Sequence, residues 1–143
     1  MKVINQARFS FPSYSVNESF GRTAVSVFLS QLDPTVADLT EIKTAVSEAV
    51  TNAIVHGYRD RIGTVYIQVS IYEGGKAVVR VRDKGCGIPN IEKAMEPLYS
   101  TGGEERAGLG FSVMQSFCDG VRVSSKTGKG TLVTLIKYFE AKE

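Results

Sequence analysis

Three groups of residues in the sequence carry chemistry. Glu48, Asn52 and His56 recur every four residues, so on a helix advancing 100° per residue they fall at about 0°, 40° and 80° and form one polar stripe. A carboxylate in that stripe can take or orient the proton of an attacking hydroxyl. An amide oxygen one turn later suits Mg²⁺, which accepts few protein ligands and keeps phosphate and water for the rest, and an imidazole a turn further on can donate to a phosphate. The second group is Asp83-Lys-Gly85-Cys-Gly87, a carboxylate followed by two glycines that let the chain turn closely around something flat. The exocyclic amine of adenine is a donor that such a buried acceptor distinguishes from guanine. The third is Gly108-Leu-Gly110, where bare amides ahead of a helix, with the positive end of its dipole, can hold phosphate.

Taken singly, each group has a plainer reading. The stripe can be solvated helix surface with His56 capping the last carbonyls, Asp83 can bond its own turn, and a GxG can simply open a helix. Two familiar phosphate motifs are absent: GxxxxGK[ST] does not occur, and GxGxxG fails because Val113 stands at its third glycine.

These residues must be positioned by regular elements. Val3, Ala7, Phe9 and Phe11 share one face of an extended segment that stops at Pro12, which predicts an edge strand. Ser15-Val-Asn-Glu18 reads as a capping box opening a helix with Phe20, Ala24, Val27, Phe28 and Leu32 on its apolar side. A second helix is predicted from about Pro34 to His56, stopped by Gly57, with Leu39, Ile42, Val46, Ala49, Val50, Ala53 and Ile54 buried. Alternation over Thr64–Tyr72 and Lys76–Asp83, with Glu73-Gly74-Gly75 between them, predicts a hairpin whose buried row of Ala77, Val79 and Val81 ends in Asp83. Residues 89–107 form a long connection with one short helix near Asn90–Met95. A helix beginning around Gly108–Gly110 buries Phe111, Met114 and Phe117, and a last hairpin pairs Val121–Ser125 with Thr131–Tyr138.

With 143 residues, 43% hydrophobic and 22% charged, the chain has the make-up of one globular domain with a core large enough to need no staples. Seventeen Lys and Arg against fifteen Asp and Glu leave a net charge of +2, too little to predict nucleic-acid binding from bulk electrostatics, so no direct nucleic-acid partner is expected. Cys86 and Cys118 form no CxxC pair and His56 is the lone histidine, which argues against a zinc cage and for both thiols as small apolar filler. The N-terminus lacks an apolar run of signal-peptide length and nothing approaches a membrane span, so a soluble cytoplasmic protein is expected.

The order Glu48-x3-Asn52-x3-His56, Asp83-x-Gly85-x-Gly87, Gly108-x-Gly110, Gly130-Thr131 resembles the ATP-binding domain shared by histidine kinases, type II topoisomerases, a heat-shock chaperone and mismatch-repair proteins, over nearly the whole chain. More narrowly, Asn17-Glu-Ser-Phe20, Gln31-Leu-Asp-Pro-Thr35, Leu39-Thr-Glu-Ile-Lys43, Ser47-Glu-Ala-Val-Thr-Asn-Ala-Ile54 and His56-Gly-Tyr58 resemble the anti-sigma kinases of spore-forming bacteria. The resemblance implies an α+β fold, a two-layer α/β sandwich with a mixed, largely antiparallel sheet and helices on one face (the Bergerat-type ATP-binding fold), spanning 1–143 with an ATP lid at about 89–107. It implies a serine-protein kinase that holds a sporulation sigma factor inactive and phosphorylates an anti-anti-sigma factor, working as a homodimer with ATP or ADP and Mg²⁺. Carried over by motif, Glu48 is the catalytic base, Asn52 the Mg²⁺ ligand and Asp83 the adenine reader, supported by Gly85 and Gly87. His56, Thr101, Gly108, Leu109, Gly110 and Thr131 line the rest of the nucleotide site, and Arg22 and Arg106 meet protein partners.

Two features depart from the pattern: Cys86 occupies a variable motif position, and Tyr99-Ser-Thr-Gly-Gly-Glu-Glu105 is richer in glycine than the family's lid. Two alternatives stand beside the kinase reading. One is a nucleotide-gated binding module without chemistry, against which Glu48 argues, since binding needs no carboxylate there. The other is a stress-response relative with different clients.

Overall fold

The protein's computed structural model describes residues 2–95 and 104–139, and for 104–109 the backbone alone. The chain runs β1 (Val3–Pro12), α1 (Asn17–Leu29), α2 (Val36–Asn52), β2 (Thr64–Tyr72), β3 (Lys76–Asp83), α3 (Ile91–Ala94), α4 (Glu104–Phe117), β4 (Gly120–Lys126) and β5 (Gly130–Tyr138). The five strands form one sheet in the order β1-β2-β3-β5-β4. Every described pairing is antiparallel, so the parallel pairs that a mixed sheet would contain do not occur among the described residues, and β1 is an edge strand as the Pro12 stop predicts.

Alternation along the strands sends Val65, Ile67, Val69 and Ile71 of β2, Ala77, Val79 and Val81 of β3 and Val133 and Leu135 of β5 into one core. Val25 and Leu29 of α1, Ile42, Val46, Ala49 and Val50 of α2, and Phe111 and Met114 of α4 close that core from the other side. This is the two-layer α+β sandwich, with the opposite sheet face left open. Among the described residues no helix is long and apolar enough to cross a membrane.

α1 differs from the sequence expectation in two ways. Val16 stands at the N-cap without a side-chain bond; Glu18 turns away from Ser15 and accepts from Ser47 Oγ at 2.6 Å and Arg22 Nη1 at 3.1 Å. Its buried face is Gly21, Val25, Ser26 and Leu29, while Phe20 and Val27 are 54% and 66% exposed. The cause is close approach: a Cβ on Gly21 would stand 3.1 Å from the Phe11 ring and 3.3 Å from Ile67, so the helix seats on its smallest residue. Phe20 instead packs edge-on against Phe9 and Phe11 at the sheet margin.

α2 starts where Thr35 accepts from Asp38 N–H at 3.0 Å and buries the face read from its periodicity, with Leu39 and Ile54 only half-buried. It does not run regularly to His56. Ala53–Gly57 form a wide π turn, in which Tyr58 N–H donates to Ala53 O, five residues back. Both ends of the described chain meet the three-residue turn between β2 and β3: Glu73 N–H donates to Lys2 O at 2.9 Å and Phe139 N–H to Gly75 O at 2.8 Å.

Candidate nucleotide site

Asp83 ends the apolar row of β3 and is 6% exposed. Its Oδ1 accepts the Gly85 N–H at 2.9 Å, and Thr131 of β5 stands directly opposite. Burial pushes the carboxyl above its ordinary value, an effect opposed by the Gly85 and Thr131 backbone N–H groups. The π turn after α2 packs on this carboxylate so tightly that a Cβ on Gly57 would lie 2.7 Å from Asp83 Cγ. A Cβ on Gly85 would collide with the Gly57 carbonyl. Gly87, at φ +76°, lies against the Lys126 carbonyl. The glycines of the Asp-x-Gly-x-Gly turn therefore bring three chain segments together around one acid.

Further bonds fix the turn. Tyr58 Oη accepts the Lys84 N–H at 2.6 Å and donates to Thr64 O at 2.7 Å, and Cys86 N–H donates to Gly57 O at 3.0 Å. Cys86 is exposed, with its thiol donating to His56 O at 3.2 Å, so it is not the apolar filler the sequence suggested. Cys118 fits that expectation: it packs against the core, and burial pushes its thiol up to about 11.

Above Asp83 opens a cavity of about 110 Å³, several times the room one water needs. Asn52, His56, Asp83, Gly87 and Thr131, all candidates from the sequence, line it. So do Arg59, Ile88, Pro89 and Phe111, which no motif pointed to. Only tertiary structure reveals Arg59, whereas the Ile88-Pro89 pair after Gly87 was a legible apolar break. Asn52 Nδ2 is buried with no hydrogen-bond partner among the described residues, a polar group left for a ligand to satisfy.

Glu48 joins this site through α4. A Cβ on Gly110 would stand 3.1 Å from Glu48 Oε2 and 3.2 Å from Asn52 Nδ2, so α4 crosses the stripe at its glycine. α4 begins at Glu104 and not at Gly108–Gly110. Gly108, Leu109 and Gly110 therefore lie inside the helix. Gly110 serves close approach. Phe111 and Met114 are buried as predicted, but Phe117 only partly.

Arg22 lies outside the pocket on α1, held by Glu18 with 38% of its side chain exposed. Arg106 falls in the first turn of α4. Thr101 and the rest of lid residues 96–103 lie outside the described residues, although the short helix expected near Asn90–Met95 is present, capped by Asn90 Oδ1 accepting from Lys93 N–H.

A sheet covered on one face by helices, with a stripe of Glu, Asn and His facing an Asp-x-Gly-x-Gly turn, defines a class of nucleotide-binding domain. The family model for the histidine kinase-like ATPase domain matches residues 17–137. An anti-sigma F factor from Thermoanaerobacter sp. (strain X514) is 53% identical over 139 residues, 96% of either chain. One from Priestia megaterium is 49% identical over 136 residues, 94% of this chain and 92% of that one. The chain belongs to the anti-sigma F factor family of histidine kinase-like ATPase domains. Among solved structures, the RsbU and RsbW domains of Rv1364c from Mycobacterium tuberculosis superpose with a TM-score of 0.70 at 16% identity, over 97% of this chain and 35% of that one. The histidine kinase domain of a blue-light activated histidine kinase from Erythrobacter litoralis gives 0.57 at 23% identity, over 90% of this chain and 62% of that one. Both likenesses are of fold.

Proposed function

We propose that this chain is a cytoplasmic anti-sigma factor and protein-serine kinase, which holds a sporulation sigma factor inactive and transfers the γ-phosphate of ATP to a serine of an anti-anti-sigma factor, acting as a homodimer. The observation that carries the reading is the gathering of Asn52, Asp83 and Thr131 on one cavity, with the Glu48 carboxylate beside Asn52 under Gly110. Neither the core nor the turn geometry needs a carboxylate at position 48.

In this reading Asp83 accepts the amino group of adenine through the oxygen that Gly85 does not take, and Gly87 gives the ring room. His56, Thr101, Gly108, Leu109, Gly110 and Thr131 complete the phosphate side. Asn52 offers its amide oxygen to Mg²⁺, and its unpartnered Nδ2 fits a site that awaits a ligand; when bound, the ion neutralises phosphate charge. Glu48 accepts the proton of the partner's serine as its oxygen bonds the γ-phosphorus and the bond to the β-phosphate oxygen breaks, leaving ADP. Positioning carries most of such a reaction, so a small domain suffices once the partner brings the nucleophile. Arg22 and Arg106 are assigned to partner contact.

The test is incubation of the chain with γ-labelled ATP, Mg²⁺ and the anti-anti-sigma protein. Label is expected on a partner serine with the wild type, and Glu48→Gln is expected to lower transfer by about 10²–10⁴-fold while still binding ATP. Full transfer by Glu48→Gln overturns the base assignment. No transfer by the wild type overturns the kinase reading in favour of a nucleotide-gated binding module.

A further inference from the structure

The open face of the sheet, on the side away from the nucleotide pocket, segregates charge. Across all five strands the one carboxylate is Asp83, and it faces the pocket. Six cations alternate outward: Arg8, Lys76, Arg80, Arg82, Arg122 and Lys126. The remaining eleven Lys and Arg stand against fifteen Asp and Glu, a balance of −4 for the rest of a chain whose net charge is +2.

The register sets the arginines in order. Arg8 pairs with Gln68, Gln68 with Arg80, Arg80 with Thr134 and Thr134 with Arg122, so one row across the sheet reads Arg-Gln-Arg-Thr-Arg. Adjacent strands lie about 4.8 Å apart, which puts successive arginines of the row about 10 Å from one another. Arg8, Arg80 and Arg82 line a shallow groove along that row with Ser10 and Tyr66. None of Arg8, Arg80, Arg82 and Arg122 forms an ion pair or side-chain hydrogen bond among the described residues.

We infer that this face is a docking surface for an acidic α-helix of a protein partner, one carrying carboxylates about two turns apart. Two helical turns rise about 10.8 Å, matching the arginine spacing, and guanidinium groups pair carboxylates through parallel hydrogen bonds. Two observations favour a short acidic segment over a nucleic acid. Of the tyrosines on this face, Tyr66 and Tyr72 are covered by Lys84 Nζ at 5.0 Å and Lys76 Nζ at 5.3 Å, which leaves Tyr138 alone with an uncovered ring, short of the succession of rings on which single strands stack. The net-negative remainder of the chain also repels a polyanion that extends past the face. Packing of two such faces on one another would set arginine against arginine.

The test uses the full chain and a fluorescein-labelled helical peptide of about 20 residues with glutamates seven apart on one stripe, compared with a peptide of the same composition whose glutamates are dispersed around the helix. Fluorescence anisotropy is expected to show tighter binding of the striped peptide, weakened about tenfold by Arg80→Glu and by Arg122→Glu. Lys43→Glu, on α2, is expected to leave it unchanged. Retained ATP binding by each variant establishes that it is folded. Equal affinity for the two peptides, no loss on arginine reversal, tighter binding of a single-stranded oligonucleotide of equal charge, or a change in sedimentation on reversal that marks the face as a self-contact would each overturn the proposal.

Discussion

Asp83 is asked to do two things that pull in opposite directions. Burial raises its carboxyl, so the folded chain holds that proton more firmly than the unfolded chain does. Its stabilising share is therefore complete below about pH 3.8 and is lost as pH rises through the raised value. Adenine recognition needs the ionised acceptor and gains over the same interval. Asp83→Asn is expected to weaken ATP binding by about 1–3 kcal/mol, since the amide presents a donor or a mismatched acceptor to the adenine amine. The same variant keeps an oxygen for Gly85 N–H and carries no buried charge, so its stability relative to the wild type should grow as pH rises from about 3.8 through the raised value. Paired thermal melts and calorimetric titrations read both effects. Unchanged ATP affinity would remove the adenine role, and a pH-independent stability difference would remove the cost of the buried charge.

Among the elements, α4 is met at its C-terminal end by a buried cation. Lys137 of β5 is only 7% exposed, and its Nζ donates to Phe117 O at 2.8 Å, with Glu41 of α2 at 3.8 Å. A cation on the last carbonyl of a helix suits the dipole. Lys137→Met is expected to cost about 1.5–3 kcal/mol in urea unfolding, and because α4 carries Gly110 across Glu48 and Asn52, transfer activity should fall further than ATP affinity. Equal losses in the two would show α4 to be positioned by its core side chains alone. The strands were legible because one-face burial leaves a period of two, and Asp83 because a carboxylate closing an apolar row stands out against it, although a bond to its own turn, which it also makes, was an equally open reading. The buried face of α1 was not legible, since Gly21 contributes no hydrophobicity to a periodic pattern yet decides which side reaches the sheet. The start of α4 was misplaced because Gly108 and Gly110 read as breakers, whereas the core contacts of Phe111 and Met114 and the seat of Gly110 on Glu48 and Asn52 hold the glycines in the helix. The π turn at Ala53–Gly57 has no composition of its own; the fit of Gly57 on Asp83 imposes it, and with it the placement of His56 and Arg59.

For the molecule as a whole, the near-neutral total conceals a separation of sign, with cations on the sheet's open face and acids concentrated in the helices and loops. The bulk figure gave no ground to expect a polyanion-binding protein, and it could not reveal a local row of arginines, which exists only once strands distant in sequence are in register. Another property of the whole lies in the turn at Glu73–Gly75, which binds Lys2 on one side and Phe139 on the other. Lys2 and Phe139 are thereby held as neighbours, and the order in which the elements follow one another is separable from the shape they make. A circular permutant that joins the ends by a short linker and opens between Gly128 and Lys129 should keep a cooperative thermal melt. It should also lose some ATP affinity, because Gly128 N–H donates to Cys86 O at 2.8 Å, next to Gly87 of the pocket lining. Such a cut would place new termini beside the nucleotide pocket, offering attachment points for a reporter that senses its occupancy.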